Sequence, residues 1–404
     1  MEEILEKIIK GEIKLHEIEN IVQDKALAIE LRRKAIEKLT GKQLKHISSH
    51  SINLVGLIGR NIDNPIGIVQ IPMGIVCPLR VKGNYADGDF FIPLCTTEGA
   101  LVASINRGAT TITLAGGAHS VILRDKMTRA PVLKTPTAEH AKKVIEWLNQ
   151  NFEKLKEATK KVTKHGELIS VEPYVVGRNV FLRFAFDTKD AMGMNMATIA
   201  TDEALKILEN ELDFVQHIAL SGNLCVDKKA AAINLVTGRG KTVVSEMIVP
   251  RDIVDKELKT TPEAIVEVNY RKNLVGSAQA GSLGFNAHFA NIVAAIFLAC
   301  GQDAAHVVEG SLGITTAELT ENKDLYCAVT LPCLQVGTVG GGTRVESQRE
   351  ALELLGVAGG GNPPGTNAKK FAEIVAAAVL AGELSLLGAL AARHLAQAHA
   401  KLGR

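Results

Sequence analysis

From Asn286 to Cys300 the chain reads NAHFANIVAAIFLAC, a run without one charged side chain. Coiled as a helix it is apolar nearly all round, and such a helix has to be buried. A second apolar stretch, Ile374 to Ala392, is broken by Glu383, which leaves too few consecutive apolar residues to cross a bilayer. The chain has 404 residues. Single cores rarely grow past roughly 250–300 residues, so two or three domains are expected.

Composition narrows the class. With 46% hydrophobic and 22% charged residues the chain is that of a soluble globular protein. A net charge of +2 gives no general field for nucleic acid or a membrane surface. The start, MEEILEKIIK, is acidic where a signal peptide would be basic. The six cysteines, Cys77, Cys95, Cys225, Cys300, Cys327 and Cys333, show no CxxC spacing and read as reduced thiols of a cytoplasmic protein. His394 and His399, five apart, would point about 140° away from each other on one helix. No other His or Cys pair has ligand spacing, so no metal site is expected.

Along the chain the pattern changes three times. Residues 1 to about 50 are helical, with Ile4, Leu5, Ile8, Ile9 and Ile13 at helical spacing. From Ile66 the sequence is β-branched and punctuated by Pro and Gly, as strands and turns require. TTEGALVASINR, 96–107, returns to helix, with Thr96 or Thr97 as cap and Glu98 in the first turn. Residues 131–219 form a compact α+β unit: a charged helix from Thr137 to Lys161, strands 167–176 and 179–185, and a helix from about Ala197 to Glu211. Gly-rich loops and the two apolar helices follow. No long-range repeat is present.

Several segments carry chemistry. DAMGMNM, Asp190 to Met196, sets a carboxylate and an amide among Gly193 and three methionines, a mixture suited to holding a ligand with polar ends and an apolar face. GTVGGGT, 337–343, has three successive glycines that let backbone amides approach a ligand; a tight turn is the plain alternative. GRGKT, 238–242, lacks the glycine that a P-loop needs at the position of Leu235, and reads as a basic surface turn. The dinucleotide fingerprint GxGxxG is absent, so a dinucleotide would need another device. Glu98 is in isolation a solvated surface glutamate; its small and apolar neighbours point the other way, to a setting that would raise its pKa as a general acid requires. Lys228 and Lys229 lie between apolar segments and need a carboxylate or an anion. Asp303 follows the apolar helix, where capping of the next helix is the ordinary role. His288 and Asn291 share one face of that helix, and a satisfied core histidine is the plain reading of the first.

Six segments in this order resemble class I 3-hydroxy-3-methylglutaryl-CoA (HMG-CoA) reductase: IPMGIVCPL at 71–79, TTEGALVASINRG at 96–108, DAMGMNM at 190–196, SGNLCVDKKAAAINLVTGRGK at 221–241, NAHFANIVAAIFLACGQDAA at 286–305 and GTVGGGT at 337–343. The resemblance covers about Asn61 to the C-terminus. It implies an α+β fold of three parts: a helical N-terminal domain (1–56), a large HMG-CoA-binding domain around the buried helix (57–130 and 220–404), and a small inserted ferredoxin-like domain for NADP(H) (131–219). It implies reduction of HMG-CoA to mevalonate and CoA by two NADPH in isoprenoid biosynthesis. The implied catalytic residues are Glu98, Lys228, Asp303 and His399, with Asp303 between Glu98 and Lys228. Substrate contacts fall on Arg129, Ser221, Asn223, Lys229, His288 and Asn291. Cofactor contacts fall on Ser104, Asn106, Arg107, Asp190, Met192, Gly193, Met194, Asn195, Val336, Gly337, Thr338, Gly340 and Gly341.

The resemblance further implies a homodimer with shared active sites, able to pair into a dimer of dimers. Glu98, Asp303 and His399 would come from one subunit and Ser221, Lys228 and Lys229 from the other, so that the lysine pair finds its counter-charge on another chain. The family's membrane anchor and the phosphorylatable serine of animal members have no counterpart before Arg404. Thr110 stands where animal members have Arg, and Thr163 and Lys164 stand where they grip the 2′-phosphate with a Ser-Arg pair; Lys neutralises a phosphate as a point charge. NAD-linked oxidation of mevalonate, or a non-catalytic CoA- or nucleotide-binding protein, are the alternatives.

Overall fold

The computed structural model of the chain describes residues 2–163 and 166–392. His394, His399 and Lys164 therefore lie outside the described residues. The described residues form a mixed α/β protein with one 11-stranded mixed sheet and three separate apolar cores.

The first core is helical. Helices α1 (Glu2–Ile9) and α2 (Lys25–Thr40) bury Leu5, Ile8 and Leu31. Asp24 starts α2 by accepting the Ala26 and Leu27 amides at 2.9 and 3.3 Å. Arg32 is buried and ties this core to the next segment, donating to the Leu15 and Pro65 carbonyls and pairing with Glu19.

The sheet begins with a hairpin of β1 (Met73–Gly83) and β2 (Asp87–Cys95). Helix α3 (Leu101–Leu114) then crosses to β3 (Ala118–Arg129), parallel to β1. Ala100, at φ 72°, is the residue before α3, so Glu98 lies in the preceding loop and not in the first turn. The last residues of β3, Met127 to Arg129, leave the main sheet and pair with a strand of the small unit, which carries Arg129 to the junction of the two.

The small unit runs β4 (Val132–Lys134), α4 (Ala138–Val162), β5 (Glu167–Val176), β6 (Asn179–Asp187), α5 (Met194–Glu211) and β7 (Gln216–Ala219). Its strands are antiparallel in the order β5-β6-β4-β7. The amphipathic face of α4 packs Val144 and Leu148 against Leu168, Phe184 and Leu208. Helix α5 begins three residues earlier than the sequence pattern indicates. Gly193, at φ 91°, turns the chain so that Met194 to Met196 form the first turn.

The chain returns through β8 (Gly240–Val249), β9 (Gly284–Phe285), α6 (Phe289–Ala299), β10 (Gly313–Leu319), β11 (Leu325–Leu334) and α7 (Thr366–Ala391). The main sheet is ordered β2-β1-β3-β8-β11-β10-β9. The apolar helix from Asn286 is buried as expected, but helical only from Phe289. Helix α7 is the more deeply enclosed, buried along nearly its whole length within the main core. Glu383 does not break it. By length and composition α7 is sufficient to cross a membrane, so Glu383 does not exclude a span as expected. The carboxylate is wholly buried and accepts the Ala287 and His288 amides and the Thr315 hydroxyl, so the helix is committed to the protein interior.

Candidate active site

Two loops expected to hold a cofactor meet directly. Ala191 pairs with Val339 as an isolated bridge, and the Thr338 amide donates to the Asp190 carbonyl at 2.8 Å. A Cβ on Gly337 would stand 2.4 Å from the Met192 amide nitrogen, so only glycine permits the contact. Beside them lies a cavity of about 900 Å³, lined by Met192 to Met196, Gly337, Val339 to Gly342, Arg129, Lys228 and Asp303. Among the described residues Gly340 and Gly341 have nothing within 4 Å of where a Cβ would be, and α5 starts at the cavity without a side-chain cap. Open glycine backbone beside uncapped helix amides suits an anionic group.

Four expected cofactor residues have roles in the fold. Asp190 is buried and accepts the amides of Gly361, Gly365 and Ala368 at 2.9, 2.6 and 3.0 Å, capping α7. Val336 is packed in the main core, and the Thr338 hydroxyl donates to the Gly359 carbonyl. Gly193 is required by its φ and by Thr188, whose Cγ2 would lie 2.3 Å from a Cβ.

Lys228 Nζ is 2.8 Å from Asp303 Oδ2 in the same chain. This corrects the expectation that its counter-charge sits on another subunit. Asp303 also caps the next helical turn, accepting the Ala305 amide at 3.1 Å. The pair polarises both groups. The Asp303 hydrogen bond holds the Lys228 ammonium above its ordinary pKa against the opposing effect of burial. Burial would raise the Asp303 carboxyl, but the Lys228 hydrogen bond and the His306 charge outweigh it and hold it below.

Behind the pair is a set of charges that the sequence reading missed. GRGKT is no surface turn: Arg239 is wholly buried and Lys241 is 2% exposed. Lys241 pairs with Asp125 at 3.2 Å. Arg239 reaches Glu309 at 2.9 Å and Asp227 at 3.0 Å, and His306 Nε2 lies 3.0 Å from Asp227 Oδ1. Asp227, His306 and Glu309 are close enough together to hold a metal. The guanidinium already supplies the positive charge these carboxylates need, and the trio reads as part of an ion-pair network. The Asp227 carboxyl, which burial would raise, is held far below the usual range by His306, Arg239 and Lys228. A signal existed: Asp303, His306 and Glu309 recur every three residues in DAAHVVEG, a charged stripe inside an apolar segment. Arg60, Asn61 and Gln302 also line the cavity without having been expected there.

Glu98 lies elsewhere. It is exposed, not enclosed among apolar neighbours, and its Oε2 accepts from Asn291 Nδ2 at 2.9 Å. His288 precedes α6; its amide donates to Glu383 and its Nε2 contacts the Gly382 carbonyl at 2.8 Å. Glu98, Asn291 and His288 thus mark the N-terminal end of α6, and Asp303 follows its C-terminal end. An 11-residue helix spans about 16 Å, so within one chain Asp303 does not sit between Glu98 and Lys228.

The other expected contacts do not line the cavity. Ser104 and Arg107 bond to Ser385 of α7, and burial lowers the Arg107 pKa. Asn106 accepts the Cys77 amide at 2.8 Å. Ser221 contacts Cys225, Asn223 is exposed at φ 64°, and Lys229 donates to the Asp227 carbonyl.

A sequence model described as hydroxymethylglutaryl-coenzyme A reductase matches residues 28–404. The chain is 63% identical to 3-hydroxy-3-methylglutaryl-coenzyme A reductase of Pyrococcus abyssi, covering 100% of both chains. It is 56% identical to the protein of that name from Methanocaldococcus jannaschii, over 100% of this chain and 99% of the relative. Its fold is similar to the class II enzyme of Streptococcus pneumoniae solved with NADPH, at TM-score 0.66 and 20% identity over 95% and 98% of the two chains.

Proposed function

The chain belongs to the hydroxymethylglutaryl-coenzyme A reductase family, and on that premise we propose that it reduces HMG-CoA to mevalonate and CoA with two NADPH, as a class I member. The observation that carries the reading is the Lys228–Asp303 pair, 2.8 Å long, on the wall of the cavity shared by the Met-rich and glycine loops. The nicotinamide supplies hydride. The residues present fit such a group: open backbone at Gly340 and Gly341 and the uncapped start of α5 for its phosphates, Met192 and Met194 for an apolar face.

The protein's part is electrostatic. As hydride reaches the thioester carbonyl, charge grows on its oxygen, and the Lys228 ammonium is the donor that stabilises it. Asp303 keeps that ammonium charged and aimed. His399, as imidazolium, protonates the departing CoA thiolate, and Glu98 supplies a proton during reduction of the aldehyde. Arg129, where the main sheet meets the strands of the small unit, takes the substrate carboxylate.

Because Glu98 and the Lys228–Asp303 pair occupy opposite ends of α6, we read the complete site as shared by two subunits of a homodimer. The division is Glu98 from one chain and Lys228 with Asp303 from the other. The three cores serve as the N-terminal, large substrate-binding and small ferredoxin-like cofactor domains, in a protein of the cytoplasm. Initial rates with HMG-CoA and NADPH or NADH test this. NADPH oxidation with release of free thiol is expected; a clear NADH preference overturns the biosynthetic assignment.

A further inference from the structure

Three non-glycine residues of the Lys228 loop have left-handed backbone: Asn223 at φ 64°, Val226 at φ 51° and Lys228 at φ 58°. For a β-branched valine this is a true outlier, and such strain persists only where the surroundings over-determine it. Here the surroundings are wholly buried side chains. The Lys228 amide donates to Glu309 Oε2 at 3.0 Å. The Val226 carbonyl accepts from Asn234 Nδ2 at 3.1 Å, and the same amide group donates to Glu309 Oε1 at 3.0 Å. Between them Asp227 is gripped by Arg239, which also binds both Glu309 oxygens. Glu309, Arg239 and Asn234 are each 0% exposed. Three consecutive residues are thus held by one cluster that solvent and substrate do not reach.

His306 joins the loop to the other half of the pair. Its Nε2 meets Asp227 at 3.0 Å, and its Nδ1, buried without a hydrogen-bond partner among the described residues, faces Asp303 Oδ2 at 3.8 Å. We infer that Glu309 is a positioning residue that acts through Lys228: its carboxylate fixes the left-handed course of residues 226–228 and so delivers the ammonium to Asp303, with Arg239 and His306 completing the clamp. The inference rests on the reading of Lys228 as the group that acts on the thioester.

The test is Glu309→Gln, which keeps the shape and removes the charge. The change leaves the wholly buried Arg239 with less counter-charge, which costs stability, so the folded fraction is measured alongside the rates. Per folded molecule, kcat with HMG-CoA and NADPH should fall on the order of 10- to 100-fold while KM stays within about twofold. The acid limb of kcat should move to higher pH, because an Asp303 less firmly paired regains its ordinary pKa. Adding Val226→Gly, which makes the left-handed turn inexpensive, should restore part of kcat. An unchanged kcat and pH profile, or a loss matched by the fraction unfolded with no rescue, overturns the inference. If Glu309→Gln does not fold, His306→Gln decides it by the same readouts. A wild-type protein that turns over beside an unaffected variant sinks the clamp alone; a wild type that consumes no NADPH sinks the functional reading itself.

Discussion

The two ends of α6 are each organised by a buried carboxylate, of different kinds. At the N-terminal end Glu383 faces, among the described residues, neutral donors: the Ala287 and His288 amides and the Thr315 hydroxyl. At the C-terminal end Glu309 faces a guanidinium as well as amides, inside a chain of charges that runs to Lys228 and Asp303. The first arrangement fixes backbone and presents Asn291 to Glu98. The second fixes backbone and also sets the charge of the groups it carries. A carboxylate held by amides builds a scaffold; one held in an ion-pair network builds a poised site.

The strongest way to break the comparison is to ask whether the two ends serve the same active site. Lys228→Ala should lower turnover on the order of 10²- to 10³-fold or more, with NADPH binding retained. Mixing that variant with Glu98→Ala should restore about a quarter of wild-type activity, since half the dimers are mixed and each has one intact site of two. Mixing it with Asp303→Ala should restore nothing, because Lys228 and Asp303 come from the same chain. Recovery in the second mixture, with subunit exchange demonstrated, would return Asp303 to the side of Glu98.

A smaller effect separates the carboxylates as stabilising elements. Glu383→Ala leaves two amides and a hydroxyl without acceptors inside the fold. At about 1–3 kcal/mol for each unsatisfied group, the cost should be roughly 3–5 kcal/mol after partial relaxation. Urea unfolding measures it. A loss under about 1 kcal/mol would mean that water replaces the carboxylate and that the N-terminal end needs no charge.

What the sequence made legible was local. The helix expected at 137–161 stands at Ala138–Val162, because its amphipathic stripe and the Thr137 cap are written in neighbouring residues. The Met-rich and glycine loops were recognisable from their own composition and do meet. What stayed hidden depends on partners far along the chain. Arg239 and Lys241 read as a surface turn because Glu309 and Asp125, which with Asp227 make their burial tolerable, lie 70 and 116 residues away. Asp190 read as a ligand-facing group because the amides it caps are 171 to 178 residues off. The Lys228 pairing was misassigned for the same reason: charge complementarity says that a partner exists, and only the fold says on which chain.

The smallest expected effect sharpens the electrostatic half of the comparison. Asp303 has its pKa lowered in the folded state, so its contribution is present above the unfolded carboxyl value and is lost as pH falls through the folded one. Lys228 has its pKa raised, so its contribution is complete below the unfolded lysine value and is lost as pH rises through the folded one. With reference values near 3.9 and 10.4, the pair should be intact from about pH 5 to about pH 9. Both side chains are partly exposed, at 41% and 33%, so the stabilisation should be under about 1 kcal/mol. The difference in unfolding free energy between wild type and Asp303→Asn should be flat across that window and shrink on either side. A step near neutral pH instead would overturn the assignment of this window to the Lys228–Asp303 pair.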